Sequence, residues 1–177
     1  MHHIKHCPFC GALYGGAGDP RQGQHDCEAC GRSFFENSKP CAGVIIERDG
    51  RALLVRRGIE PHKGMWDIPG GFLEPGEHPE DGAAREALEE TGLTVRVGRL
   101  IGVWMDVYGP EATDHTLNFY YCAIPTEGGV SEPVAADDAV EIGWFGPNAL
   151  PREIAFNHGR DVLEAWARQR MYAAEQG

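Results

Sequence analysis

Gly71-Phe72-Leu73-Glu74-Pro75-Gly76-Glu77, then seven residues, then Arg85-Glu86-Ala87-Leu88-Glu89-Glu90-Thr91-Gly92-Leu93 is the stretch that decides how this chain folds and what it does. On a helix, Glu86, Glu89 and Glu90 stand at i, i+3 and i+4 and share one face. Ala84, Ala87 and Leu88 turn to the other side and are expected to face the core. Three like charges on neighbouring turns repel by about a few tenths of a kcal/mol per exposed pair. A solvated face would interleave lysines, yet Arg85 is the only base in this helix. An ordinary acidic amphipathic helix accounts for the three glutamates by themselves. A divalent cation among the carboxylates accounts for their clustering. Mg2+ takes hard oxygen ligands and keeps waters that can contact phosphates.

Outward from this stretch, the pattern sets the element boundaries. Pro79 suits a first helical turn and Gly92 the position past the end, so a helix is expected over Glu80–Thr91. Glu80 and Asp81 in its first turn suit the helix dipole. Gly70–Pro79 reads as a loop punctuated by glycine and proline, and Trp66–Pro69 as a short strand. Ala42–Glu47 and Arg51–Arg56 are apolar strand runs around Asp49-Gly50, a strong two-residue hairpin signal. Further strands are expected over Thr94–Asp106, Leu117–Ile124 and Ala139–Phe145. A last helix is expected from Ala155 to about Arg170, with Phe156, Val162, Leu163 and Trp166 at core spacing. Strands linked by hairpins and mixed with two helices indicate an α+β fold with αβα layers.

The N-terminal part carries a second signal. Cys7-Pro8-Phe9-Cys10-Gly11 and Cys27-Glu28-Ala29-Cys30-Gly31 are two C-x2-C knuckles with 16 residues between Cys10 and Cys27. That spacing reads as a tetrahedral zinc site, closed by four thiolates and therefore structural. Two disulfides are the alternative, but nothing in the sequence points to an oxidising compartment. His2, His3, His6 and His25 lie nearby and are read as a tail rather than ligands. Ala12–Asp26 is expected to be the loop of a zinc ribbon, with a linker at about Glu36–Pro40. The ribbon is placed over residues 1–37 and the main domain over residues 38–177. Cys41 and Cys122 have no partner at metal spacing and are expected to be buried small hydrophobes.

Composition bounds the rest. The chain has 177 residues, is 42% apolar, and carries a formal charge of −11. That charge argues against nonspecific nucleic-acid binding or an anionic membrane surface. Residues 1–40 hold only Lys5, Arg21, Arg32 and Lys39 as bases, too dispersed for a nucleic-acid patch. No run of 18 apolar residues and no secretory start appear, so a cytoplasmic chain with no membrane span is expected.

The opening stretch matches the Nudix box, G-x5-E-x7-R-E-U-x-E-E-x-G-U, at Gly71, Glu77, Arg85, Glu86, Glu89, Glu90 and Gly92, with Leu93 in the last aliphatic slot. Ala87 stands where a bulkier aliphatic residue is usual. Trp66-Asp67-Ile68-Pro69-Gly70-Gly71 before the box also resembles the family, and the likeness runs over about Ala42–Trp166. The resemblance implies a Nudix αβα sandwich with an N-terminal zinc ribbon. It also implies hydrolysis of a nucleoside diphosphate linked to another group. By the same resemblance, Glu86, Glu89 and Glu90, with the Gly70 carbonyl, bind Mg2+ or Mn2+, and Arg85 pairs with Glu77 to orient the helix. Candidates for the general base are a box glutamate, Glu127, Glu132, Asp137, Asp138 or Glu141. Arg56 and Arg57 are candidates to hold phosphate oxygens in a fork. Trp66, Trp104, Tyr108 and Phe119 are candidates to stack a ring or to pack in the core.

A zinc ribbon joined to a Nudix domain resembles the NADH pyrophosphatases and a shorter group that includes FAD and ADP-ribose pyrophosphatases. Phe35–Pro40 running into Gly43-Val44-Ile45, Gly64-Met65-Trp66 and Ala155-Phe156 are similar to the shorter group. The NADH type carries SQPWPFPxS after the box, whereas Thr94–Pro110 here reads TVRVGRLIGVWMDVYGP. Pro110 stands where ADP-ribose hydrolases often carry a proline. The expected partner is a small nucleotide diphosphate: ADP-ribose, FAD or a relative. NADH hydrolysis and a non-catalytic nucleotide sensor are the alternatives, and the intact box glutamates speak against the sensor. Family members often form homodimers.

Overall fold

The computed structural model describes residues 4–15, 19, 23–108, 114–126 and 132–175. The chain divides into two compact units, one of Met1–Lys39 with Val107–His115 and one of Pro40–Asp106 with Thr116–Gly177.

The smaller unit contains two short strands, β1 (Gln24–Asp26) and β2 (Ser33–Phe35), paired antiparallel with Gln24 opposite Phe35. The loop expected over Ala12–Asp26 therefore ends in a strand. Its side chains pair locally, Asp26 accepting from Gln24 and from Ser33, so polar ladder contacts rather than apolar alternation build it.

The larger unit is built on β3 (Lys39–Arg48), β4 (Arg51–Arg57), β5 (Trp66–Asp67) and β6 (Gly70–Phe72), followed by α1 (Pro79–Thr91). β7 (Val95–Tyr108), β8 (Asp114–Pro125), β9 (Ala139–Phe145) and α2 (Asn157–Glu175) complete it. The sheet runs β5-β4-β3-β8-β7, with β6 paired to β3 and β9 to β4. The β3–β4 hairpin turns at Asp49 (φ 52°) and Gly50 (φ 70°), both left-handed, as a type I′ turn requires.

The central strands are apolar at nearly every position because both faces of the sheet are covered. Val44 and Ile46 of β3 and Leu53 and Val55 of β4 join Ala83 and Ala87 of α1 in one buried cluster. Ile45, Ala52 and Leu54 point the other way and join Val162, Leu163 and Trp166 of α2 in a second. The result is the expected α+β arrangement, a sheet between two helices.

Several boundaries differ from the sequence reading. β6 lies where the sequence pattern predicts a loop; its register to β3, Gly70 opposite Gly43 and Phe72 opposite Cys41, brings two glycines close to a neighbouring backbone. β3 starts at Lys39, inside the expected linker. β7 and β8 extend past the expected strand ends, and α2 starts at Asn157, leaving Phe156 ahead of it. Leu88 is 50% exposed, not core-facing, because the inward side of α1 belongs to Gly82, Ala83, Ala87, Glu90 and Thr91. Cys41 and Cys122 are half-buried rather than buried. Among the described residues no helix is long and apolar enough to cross a membrane.

Candidate active site

Local sequence fixes α1 at both ends. The His78 ring accepts from the Glu80 N–H at 3.3 Å, Pro79 opens the first turn, and Gly92 closes the helix at φ 70° with its N–H on Leu88 O at 2.8 Å. A left-handed closing residue suits glycine, which has no Cβ to clash.

The helix then presents its charges around Arg85. Nε and Nη2 of Arg85 donate to Oε1 and Oε2 of Glu77 at 2.8 and 2.9 Å, a two-pronged pair. Nη1 donates to Glu86 Oε1 at 2.8 Å and Glu89 Oε2 at 2.9 Å, and Nη2 also reaches the Phe72 carbonyl at 3.1 Å. Glu77 accepts in addition from the Glu74 N–H at 2.9 Å. Arg85 and that backbone N–H outweigh burial and hold the Glu77 carboxyl down at about 2.

Glu86 and Glu90 lean on the strand that precedes the helix. A Cβ on Gly71 would stand 2.5 Å from Glu86 Oε1, so the carboxylate rests directly on the glycine backbone. Glu90, on the buried side, accepts from the Gly70 N–H at 3.1 Å. Burial, with the charges of Asp67 and Glu86, pushes the Glu90 carboxyl up to about 8. Burial also raises Glu86, against the pull of Arg85, with Glu89 and Asp137 adding to the rise. Two acids held above their ordinary range by burial and neighbouring charge mark this face as the candidate functional site. Hard carboxylate oxygens beside the bare Gly70-Gly71 backbone suit Mg2+ or Mn2+. The glutamates are spread along the face: Arg85, rather than another carboxylate, bridges Glu86 and Glu89.

The flanking candidates fall into distinct environments. Arg56 donates to Glu141 at 2.9 Å and to the Gly64 carbonyl at 2.7 Å, with its guanidinium 5.7 Å from the Trp66 ring centre. Arg57 is deeper, donating to Asp67 at 3.0 Å and to the Pro61 carbonyl at 2.8 Å. Trp66 packs edge-on against Phe145 at 4.9 Å and Trp104 against Tyr120 at 6.0 Å, while Phe119 packs on the α1-side cluster. Tyr108 closes β7. Of the loop acids, Glu132 lies 3.8 Å from Arg48, Glu141 pairs with Arg56, and Asp137 bears on Glu86. Asp138 lends its backbone carbonyl to the Gly58 N–H. Glu127, Pro110, His2, His3 and Arg21 lie outside the described residues.

Two polar features escaped the sequence reading. Asp67, buried with Arg57 and accepting from the Ile68 N–H at 2.9 Å, lies close enough to raise Glu90; its signal is a lone acid in an apolar run. His158 bonds to Asp106 at 2.6 Å and to the Tyr120 hydroxyl at 2.9 Å. Nothing in its own neighbourhood announced those distant partners.

In the smaller unit the two knuckles repeat one geometry. Cys7 N–H bonds to Ala12 O and Gly11 N–H to Cys7 O; Cys27 N–H bonds to Arg32 O and Gly31 N–H to Cys27 O. Gly11 (φ 74°) and Gly31 (φ 69°) supply the left-handed residue each knuckle needs. All six cysteines are free, and the four knuckle sulfurs lie within 4.8 Å of one another. Cys7 and Cys30 are 3.8 Å apart and Cys10 and Cys27 3.6 Å. Tetrahedral zinc with bonds of about 2.3 Å separates its sulfurs by about 3.8 Å, so the cluster fits that ion. His25 is turned to Glu36 at 2.7 Å instead.

The NUDIX domain family model matches residues 38–166. An ADP-ribose pyrophosphatase of Methanocaldococcus jannaschii is 40% identical over 120 residues, covering 68% of each chain. An NAD-capped RNA hydrolase of Chromobacterium violaceum is 31% identical over 151 residues, 85% of this chain and 53% of that one. The crystal structure of a Nudix hydrolase from Nitrosomonas europaea superposes with a TM-score of 0.78 at 27% identity, covering 96% of this chain and 93% of that one. The acidic helix, its paired arginine and the two-glycine strand all lie inside the matched region, and the conclusion follows that this chain belongs to the Nudix hydrolase family.

Proposed function

We propose that this Nudix hydrolase cleaves the diphosphate bridge of a nucleoside diphosphate joined to a second group, ADP-ribose, FAD or a related dinucleotide, into two monophosphates. The observation that carries the reading is the placing of Glu86 and Glu90 against the Gly70-Gly71 backbone, two acids raised by burial and by neighbouring carboxylates. In this reading Glu86, Glu89, Glu90 and the Gly70 carbonyl hold Mg2+ or Mn2+. A divalent ion there acidifies water, polarises phosphoryl oxygens and offsets charge on the leaving phosphate. Arg85 and Glu77 act as positioning residues: their two-pronged pair fixes the guanidinium that in turn sets Glu86 and Glu89. Among the loop acids, Asp137 is the one whose charge reaches Glu86. Arg56, with 38% of its side chain exposed, would meet a substrate phosphate in exchange for Glu141, and its exposure supports that role. Trp66 lines the same side. Arg57, held by Asp67 and Pro61 O, supports this region from beneath. Residues 1–37 form the ribbon, with Cys7, Cys10, Cys27 and Cys30 on a structural zinc, and residues 38–177 the catalytic domain.

The M. jannaschii relative supports ADP-ribose. The longer match to the NAD-capped RNA hydrolase supports an NAD-type group in the substrate, and with it the NADH pyrophosphatase alternative as the second reading. The test is a panel of ADP-ribose, FAD, NADH and NAD with Mg2+, products separated. ADP-ribose or FAD yields two monophosphates, and Glu89→Gln and Glu90→Gln each lower turnover by orders of magnitude with unchanged circular dichroism. Preferential cleavage of NADH establishes the second reading. Full rates in both variants refute the metal assignment.

A further inference from the structure

Tyr14 carries the one buried side-chain polar atom, among the described residues, that lacks a hydrogen-bond partner. A phenol hydroxyl shut away from water without an acceptor is costly, so its surroundings indicate what it serves. The residue lies just past the first knuckle. Its backbone N–H donates to the Lys5 carbonyl at 3.0 Å, and His6 and Leu13 form a bridge beside it, so both chain segments flanking Cys7 are tied at its base. The ring packs on His25 at 5.4 Å, and His25 is held by Glu36 at 2.7 Å and flanked by Phe34 at 6.5 Å. The phenol is thus wedged from behind, with the Cys7 sulfur within reach of its hydroxyl and the Cys27 and Cys30 sulfurs close by.

We propose that the Tyr14 hydroxyl donates a hydrogen bond to the Cys7 thiolate of the zinc site and so tightens the hold of the ribbon on its ion. The proposal rests on reading the four cysteines as a zinc site. Four thiolates around Zn2+ carry a net charge of −2, and every donor aimed at a sulfur offsets part of that surplus. Backbone N–H groups of Phe9 and Cys10 already serve Cys7. Tyr14 adds a side-chain donor that sequence spacing does not reveal. Such outer partners change metal affinity by about 10- to 100-fold.

The experiment uses the full chain. Tyr14→Phe keeps the ring on His25 and removes only the hydroxyl. Zinc competition against a chromogenic chelator should show a dissociation constant raised about tenfold. The sulfur-to-cobalt charge-transfer band of the Co2+-loaded variant should move to longer wavelength, because a thiolate without its donor releases charge more readily. Proton NMR of the zinc-loaded wild type should show a Tyr14 hydroxyl protected from exchange, a readout that needs no variant. Equal affinities with superimposable spectra, or a freely exchanging hydroxyl, overturn the role of Tyr14 and leave the zinc reading standing. A wild-type chain that retains no zinc by elemental analysis overturns the zinc reading, and the Tyr14 proposal with it.

Discussion

Glu77 and Glu90 sit thirteen positions apart on one loop-helix unit and are driven in opposite directions. Arg85 holds Glu77 at about 2, whereas burial and the charges of Asp67 and Glu86 lift Glu90 to about 8, each from an ordinary 4.5. The signs give a stability profile. Glu77 is depressed on folding, so its contribution is complete above pH 4.5 and fades as pH falls towards 2. Glu90 is raised, so its contribution is complete below pH 4.5 and is lost as pH rises through 8. In a chelator, where no divalent ion offsets Glu90, these two groups make stability greatest near pH 4.5. For Glu90 the alkaline limb is on the order of a few kcal/mol. Denaturant melts from pH 3 to 9 should show that limb flattened in Glu90→Gln and the acid limb flattened in Glu77→Gln. Mg2+ should stabilise the wild type more at pH 8 than at pH 5. An alkaline limb that is the same in wild type and Glu90→Gln would sink the account.

At the scale of elements, β6 and α1 work as one device: a two-glycine strand whose bareness lets carboxylates lie on backbone. A methyl on Gly71 would stand 2.5 Å from Glu86 Oε1 and 2.8 Å from its carboxyl carbon. Gly71→Ala therefore pushes Glu86 aside without touching the core. Misplacement of this kind costs roughly ten- to a hundredfold in rate. Turnover of the preferred diphosphate should fall by that factor with a melting temperature close to wild type, and an unchanged rate would show that Glu86 does not work from this position. The sequence made α1 readable because its limits are chemical: Pro79 at the start and Gly92 at the end. It also made the β3–β4 hairpin readable through Asp49-Gly50. β6 was not readable, since three residues with two glycines carry no alternation, and only the approach of β3 makes them a strand. Apolarity alone points Leu88 inward. The helix instead turns Glu90 inward, and the Gly70 N–H that accommodates it lies twenty residues upstream. Asp67 and the His158–Asp106–Tyr120 set were hidden for the same reason, their partners being brought together by tertiary structure alone.

At the scale of the whole molecule, the two compact units differ in what holds them. The larger has buried clusters on both faces of its sheet. In the smaller, Cys7 and Cys27 are the only apolar side chains among the described residues that count as buried, while Phe9, Leu13 and Phe35 are each at least half exposed. A unit of this size without an apolar core does not offset the entropy of ordering its chain, and a metal then supplies the difference. If the four sulfurs hold zinc, as proposed, removing it should therefore unfold this unit selectively. Calorimetry of the intact chain should show a minor transition that disappears when a chelator strips zinc at constant free Mg2+, while the main transition persists within a few degrees. Amide exchange should show the same division: protection lost across residues 5–15 and 23–36, and kept in β3, β4 and α2. If stripping the ion left those N-terminal amides protected, the ribbon would have to be held by its own packing, and the four sulfurs would need another explanation. If instead both transitions collapsed together, the metal would be holding the catalytic domain as well, and residues 38–177 would not fold without it.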